Sequence, residues 1–264
     1  MTISSEDFIS VVVNCHNGEK FLHESISSVI NQSYPNWELI FFDNQSKDKS
    51  RQIAKSFGDE RIKFFSSKKY LKLYEARNEA IKYSSGKYIT FLDTDDTWEK
   101  NKLLNQLYFI KKNNLKICYS NFSIFNQNLK TKIKRIKKNK NFVSTQELLN
   151  DYDIGVLTTI IDKDVFKYNK FNNNFEIIGD FDFFIRTSLD FKIGYMNEVL
   201  ANYRIHDQSL SLKKVDEYYY EFKRWIDLNK LVLEKKNLSI KVQKFYLFKL
   251  WIKKILFTLK NSIR

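Results

Sequence analysis

The first hundred residues alternate short apolar runs with segments of helical spacing, and the runs end in polar or acidic residues. Residues 8–14 (FISVVVN), 37–42 (WELIFF), 62–65 (IKFF) and 88–92 (YITFL) have the length and the β-branched or aromatic content of buried strands. Between the first two, Phe21, Leu22, Ile26, Val29 and Ile30 recur at helical spacing over 19–32, and Ser33-Tyr34-Pro35-Asn36 stops that helix. Residues 50–57 and 73–83 are the next two predicted helices, and Gly86 breaks the second. Strands and helices alternating at roughly 30 residues per unit predict an α/β fold, with a mostly parallel sheet flanked by helices. In such sheets ligands bind beyond the carboxyl ends of the strands. Three polar clusters fall there: Asn14-Cys15-His16-Asn17, Asp43-Asn44 and Asp93-Thr94-Asp95-Asp96.

The remainder reads less regularly. A helix at about 99–112 precedes a strand, KICYSNFSIF, and then a basic stretch predicted as a surface loop or hairpin. Residues 144–168 and 180–191 are predicted helical, as are 216–235 and 239–261. At 264 residues and 43% hydrophobic content, the chain has enough apolar material for one sizeable core with a small appendage. Cys15 and Cys118 make neither a disulfide framework nor a metal-ligand pattern, which fits a reducing, cytoplasmic setting. The first twenty residues lack a basic segment followed by an apolar one, so no signal peptide is expected. No apolar run approaches the about 18 residues of a membrane-spanning helix.

The net charge of +14 is localised. Residues 130–140 carry seven basic and no acidic side chains, and residues 235–264 carry nine and none, so the rest of the chain is close to neutral. Such placement points to an anionic surface, membrane or nucleic acid, met by particular segments.

Asp93 and Asp95 sit two apart where a strand runs out. In extended chain, residues i and i+2 face the same way, so both carboxylates would address one ligand. Carboxylates alone repel a diphosphate. A divalent cation between them reverses the sign, and hard oxygen ligands suit Mg²⁺ or Mn²⁺. Taken alone, D-x-D-D is a weak signal, because acidic turns and helix caps carry the same pattern more often.

The segment SVVVNCHNGEKFLHESISSVINQSYPNWELIFFDNQSKDKS, followed by EARNEAI, GKYITFLDTDDTWEKNKL, IGDFDFFIR and YRIHDQSLS, resembles the inverting glycosyltransferases of family 2, which have the GT-A fold. The resemblance is dense over residues 8–105 and implies a catalytic domain at 1–212, with a nucleotide-binding half (about 1–112) and an acceptor half (about 113–212). A basic helical extension at 213–264 would follow. Residue by residue, it implies that Asp43 accepts from the base edge, usually uracil. Asn14 stands where the family usually has Pro, and His16 where a Tyr often packs on the base. Arg77 would face the nucleotide or its phosphates, Asp93 the ribose or the metal, and Asp95 the metal. Asp96 would share that task or cap the following helix. His206 falls where relatives supply a further metal or diphosphate contact, with Tyr203 and Arg204 bracing it.

Asp180 falls on the family's catalytic carboxylate, but the usual Glu-Asp pair is Gly179-Asp180 here. An inverting transfer needs a base to take the acceptor hydroxyl's proton. At a helix start the dipole would keep Asp180 ionised. Asp182 is its nearest rival, and Asp180 as a plain helix cap is the bland alternative.

The resemblance implies a nucleotide-sugar donor, UDP-linked above all, a saccharide or lipid-linked acceptor, and a role in bacterial surface polysaccharide or lipopolysaccharide synthesis. In SIKVQKFYLFKLWIKKILFTLKNSIR, Phe245, Phe248, Ile252, Ile255, Leu256 and Leu259 share one helix face while the lysines lie mainly elsewhere. That pattern suits an anionic membrane met through 236–264; the alternative is a helix packed on the catalytic domain or on another subunit, as in a homodimer. Two further readings stand beside the enzyme: a degenerate transferase that binds nucleotide without turnover, and a basic nucleic-acid-binding module. The latter lacks any recognisable binding motif, so nucleic acid is not expected as a partner.

Overall fold

The computed structural model describes residues 7–127, 131–134, 141–207 and 215–262. In chain order the helices are α1 (Leu22–Ile30), α2 (Ser50–Ser56), α3 (Leu73–Ile81), α4 (Lys102–Lys112), α5 (Thr145–Asn150), α6 (Val165–Tyr168), α7 (Gly179–Ser188), α8 (Val215–Lys235) and α9 (Lys241–Ser262). The strands are β1 (Ile9–Cys15), β2 (Trp37–Asp43), β3 (Ile62–Ser66), β4 (Tyr88–Phe91), β5 (Thr97–Trp98), β6 (Ile117–Asn126), β7 (Thr131–Lys134), β8 (Phe142–Val143), β9 (Thr159–Asp162) and β10 (Ile193–Ile205).

All ten strands form one sheet in the order β3-β2-β1-β4-β9-β6-β10-β5, with β7 on β6 and β8 on β10. The first four are parallel, as the alternation predicts. Beyond β4 the sheet is mixed: β9 runs antiparallel to both β4 and β6, β10 runs parallel to β6, and β5, β7 and β8 add antiparallel pairs. The parallel half therefore collects the carboxyl ends of β1, β2 and β4 on one edge, with Cys15 beside Asp43 and Val12 beside Phe91.

Two of the predicted elements are corrected. Residues 144–168 are not one helix; they form α5, a 3₁₀ turn at Val156–Thr158, β9 and α6. Leu148, Leu149, Tyr152, Val156, Leu157, Ile160 and Ile161 recur at helical spacing, but the β-branched Thr158-Thr159-Ile160-Ile161 stretch favours the strand slot between β4 and β6. The long strand β10 went unpredicted, because register shifts at Met196–Val199 and Val199–Ala201 break its alternation. Of the basic stretch, 131–134 forms a hairpin strand against β6, and 130 and 135–140 lie outside the described residues.

The strands bury both faces. Ile9, Val11, Val13 and Cys15 pack under α1, α2 and α4, while Val12, Ile40, Phe42 and Phe91 pack under α3, α6 and α7, where α8 and α9 also dock through Trp225, Leu233 and Leu250. Gly18 seats the loop after β1, since a Cβ there would come within 2.8 Å of Thr94 Oγ1.

Lys102 marks the seam between the two halves. Ladder pairing of β4 with β9 covers only Tyr88↔Asp162 and Ile89↔Ile161. Where the strands part, the fully buried Lys102 Nζ donates to Thr90 Oγ1 (3.1 Å) and to the Thr159 carbonyl (3.2 Å), and lies 4.1 Å from the Trp98 ring centre. Burial pulls its ammonium down from 10.5 to about 7. A lysine depressed in the folded state binds fewer protons than in the unfolded chain between those two values, so stability rises with pH there. Urea unfolding should show about 2 kcal/mol gained from this group between pH 7 and pH 9, a gain absent in Lys102→Met. Equal pH slopes in the two proteins would contradict this assignment.

Candidate active site

Loops after β1 and β2 are stitched together at the strand ends. His16 Nδ1 donates to the Asn44 carbonyl (2.8 Å), Gly18 N–H to Ser50 Oγ (2.9 Å), Glu19 N–H to Asp48 Oδ2 (2.9 Å), and Lys49 N–H to Glu19 Oε2 (2.9 Å). Asn17 takes a left-handed conformation (φ 56°), which Asn tolerates better than most residues, and its Oδ1 accepts from Lys47 N–H. Tyr70 packs edge-on against the His16 ring at 4.9 Å and is 56% exposed, so the pair forms an aromatic rim.

Asp43 closes β2 almost fully buried. Its Oδ2 accepts from Arg51 Nε (2.7 Å) and Nη2 (2.6 Å), and its Oδ1 from Ser46 N–H (3.2 Å). Arg51 was not anticipated from the sequence. Asn14, one residue before the end of β1, has both polar side-chain atoms buried with no hydrogen-bond partner among the described residues. Leaving an amide in that state costs about 1 to 3 kcal/mol per group unless a ligand satisfies it.

The Asp93–Asp96 segment is a turn rather than extended strand, closed by Asp96 N–H donating to the Asp93 carbonyl (3.2 Å). The extended-chain premise is thereby corrected, and on this turn the two carboxylates take different partners. Asp93 Oδ1 accepts from Arg77 Nη2 at 2.7 Å, whereas Asp95 Oδ2 lies 2.9 Å from His206 Nε2. Burial and the nearby Asp93 charge raise the Asp95 carboxyl above its ordinary value, against the contact with His206. Asp96 neither shares that contact nor caps α4. It is buried, accepts from Arg204 N–H (2.8 Å), and is held well above the ordinary carboxylate value by burial and by Asp95 and Asp93. Arg204 braces the turn, with Nε on the Asp95 carbonyl (2.8 Å) and Nη2 on Glu24 (2.5 Å).

Asp180 lies in the first turn of α7, near enough to Arg77 and Asp93 for both charges to act on it. The expectation that the helix start keeps it readily ionised is corrected. Burial raises its carboxyl above 3.8, although Arg77 and the Phe181 N–H (2.7 Å) work the other way. Tyr74 donates its hydroxyl to the Ile177 carbonyl (3.1 Å) and reaches Asp180 Oδ1 at 3.4 Å. The rival Asp182 is committed elsewhere, paired with Arg186 at 2.7 Å and 2% exposed. Tyr152 packs against Phe181 at 5.1 Å, with its hydroxyl buried and without a partner among the described residues.

Gly179 now has a physical reason. A Cβ on it would lie 2.4 Å from Tyr74 Cδ2 and Cε2, so the Tyr74 ring occupies the space a side chain would need. Tyr74 is 2% exposed and cannot swing away cheaply. In urea unfolding, Gly179→Ala should cost about 2 kcal/mol in the presence of Tyr74 and close to nothing in a Tyr74→Ala background. A tolerated Gly179→Ala with Tyr74 intact would refute the steric explanation.

Sequence and structure comparisons find relatives of this chain. The model for glycosyl transferase family 2 matches residues 10–185. The chain is 34% identical over 212 residues to the Escherichia coli UDP-Glc:alpha-D-GlcNAc-diphosphoundecaprenol beta-1,3-glucosyltransferase WfgD, covering 79% of this chain and 81% of that one. It is 30% identical over 219 residues to the putative teichuronic acid biosynthesis glycosyltransferase TuaG of Bacillus subtilis, covering 78% and 82%. In fold it is similar to S. aureus TarS 1–349 solved with UDP-GlcNAc, with a TM-score of 0.72 at 18% identity, over 82% of this chain and 65% of that one. The chain belongs to glycosyl transferase family 2.

Proposed function

We propose that the protein transfers a sugar from a UDP-sugar, with inversion, to a saccharide carried on a lipid diphosphate during assembly of a bacterial surface polysaccharide. The observation that carries this reading is the meeting of Asp95 with His206, 111 residues apart in sequence and 2.9 Å apart in space, beyond the ends of β1, β2 and β4. The relatives' names supply the donor and acceptor classes.

Asp95 Oδ2 and His206 Nε2, 2.9 Å apart, would together help to hold a Mn²⁺ or Mg²⁺ ion. Asp93, the third ligand expected, is turned to Arg77, and no group of three such protein ligands forms among the described residues. Diphosphate oxygens and water would complete the shell. When bound, the ion would neutralise charge on the leaving diphosphate. Asn14, Asp43, His16 and the Tyr70 ring line the ends and loops of β1–β3, where a base would sit, and Asn14 would satisfy its orphaned amide on the nucleotide. Arg77 places a fixed positive charge between the donor side and Asp180.

In the transfer, Asp180 accepts the proton of the acceptor hydroxyl as that oxygen bonds to the anomeric carbon. The bond to the diphosphate breaks, and its electron pair leaves on the phosphate oxygen. A carboxylate whose proton affinity is raised by burial is a stronger base than a solvated one.

Transfer of radiolabelled sugar from UDP-glucose and UDP-N-acetylhexosamines to an N-acetylglucosaminyl diphospholipid tests the reading. Asp180→Asn should lower kcat by roughly 10³-fold or more while UDP affinity stays unchanged. Because the base must be deprotonated, kcat/KM should fall as pH drops through a value above 3.8. An Asp180→Asn enzyme with near-normal turnover would overturn the assignment.

A further inference from the structure

We propose that α9 docks the protein on an anionic lipid surface through the face it turns away from the body. Helix α9 buries Gln243 and Leu250 and half-buries Leu247 against the body, with Gln243 Nε2 donating to the Leu149 carbonyl. At about 100° per residue, the opposite side of the same helix carries Phe245, Phe248, Ile252 and Ile255. These are 58%, 53%, 39% and 38% exposed. Helix α9 thus has two apolar faces, and the core uses only one.

Helix α8 also exposes Leu228, Leu231 and Val232. The two helices hold each other through Tyr246 against Phe222 (5.3 Å) and Lys254 against Tyr220 (2.5 Å). A monomer rarely leaves this many large apolar side chains together in water. Leu256, Leu259 and Lys260, also expected on this helix, lie outside the residues whose side chains are described.

Charge decides the occupant. Lys241, Lys244, Lys249 and Lys253 border the apolar stripe, and residues 235–264 contain no Asp or Glu. Trp251 and Tyr246, both partly exposed, are residues suited to a headgroup boundary. In a two-fold dimer built on α9 this face would meet its own copy and set lysines against lysines, with no acid on the helix to answer them. An anionic bilayer supplies both an apolar layer and the opposite charge, with each lysine near the surface worth about 1 kcal/mol. Among the described residues no helix is long and apolar enough to cross a membrane, so this contact lies in the interface plane. Delivery of a lipid-linked acceptor by such docking rests on the function proposed above, whereas the docking itself does not.

The test is flotation of the full chain with vesicles of phosphatidylcholine alone or mixed with about one third phosphatidylglycerol. The intact protein should float with the anionic vesicles, remain behind with the neutral ones, and release in high salt. Phe248→Glu/Ile252→Glu, on the outward face, should cut the bound fraction about tenfold or more with the unfolding midpoint unchanged. Failure of the intact protein to float, or equal flotation of the double variant, would overturn the proposal. So would a dimer in sedimentation velocity that the double variant dissolves, because the face would then belong to a second copy. Flotation that persists without any UDP binding would leave the docking standing and remove the donor reading instead.

Discussion

A single buried cation organises the strand-end site. Arg77 is 3% exposed, sits among the rings of Tyr74, Phe91 and Phe171, and reaches Asp93 at 2.7 Å. Placing a guanidinium in such surroundings is costly unless acids answer it. Asp93 answers from one side, and Asp180 lies close enough on the other for its charge to be felt. Removing Asp93 would strand the buried Arg77 charge in an apolar setting, which commonly costs 3 to 5 kcal/mol. The arrangement explains how a chain can hold several acids at one edge of a sheet: Arg77 compensates two, His206 meets Asp95, and Asp96 is held towards its neutral form.

The rest of the fold serves that edge. Parallel pairing brings the ends of β1, β2 and β4 level, and the antiparallel insertion of β9 carries the chain across to β6 and β10. At its far end β10 delivers Arg204 and His206 back to the Asp93–Asp96 turn. Helix α7 supplies Asp180 on the other face, where Tyr74 fills the space that a side chain on Gly179 would need.

The parallel half was legible because strand-length apolar runs and helical spacing are local signals, and the closing residues Asp43 and Asp93 mark strand ends directly. The second half was not. Its helical spacing continued through Gly155 into β9, and the irregular register of β10 erased the period-two pattern. Site contacts divide the same way. The pairing of Asp95 with His206 was reachable only through resemblance to a family, since no local pattern links residues so far apart. The Tyr74–Gly179 contact, the Arg51 clamp on Asp43 and the orphaned Tyr152 hydroxyl depend on packing alone, and nothing local in the sequence announces them.

That the strand ends form a metal-assisted site for a uridine diphosphate is the claim on which the functional reading stands. Calorimetric titration of UDP, with GDP as control and with and without Mn²⁺, on the intact chain and on Asp95→Ala, addresses it most directly. The expected result is UDP binding that strengthens with Mn²⁺, is absent for GDP, and falls at least about tenfold in Asp95→Ala. UDP binding that is indifferent to both Mn²⁺ and Asp95→Ala, or no binding of either nucleotide, would contradict it.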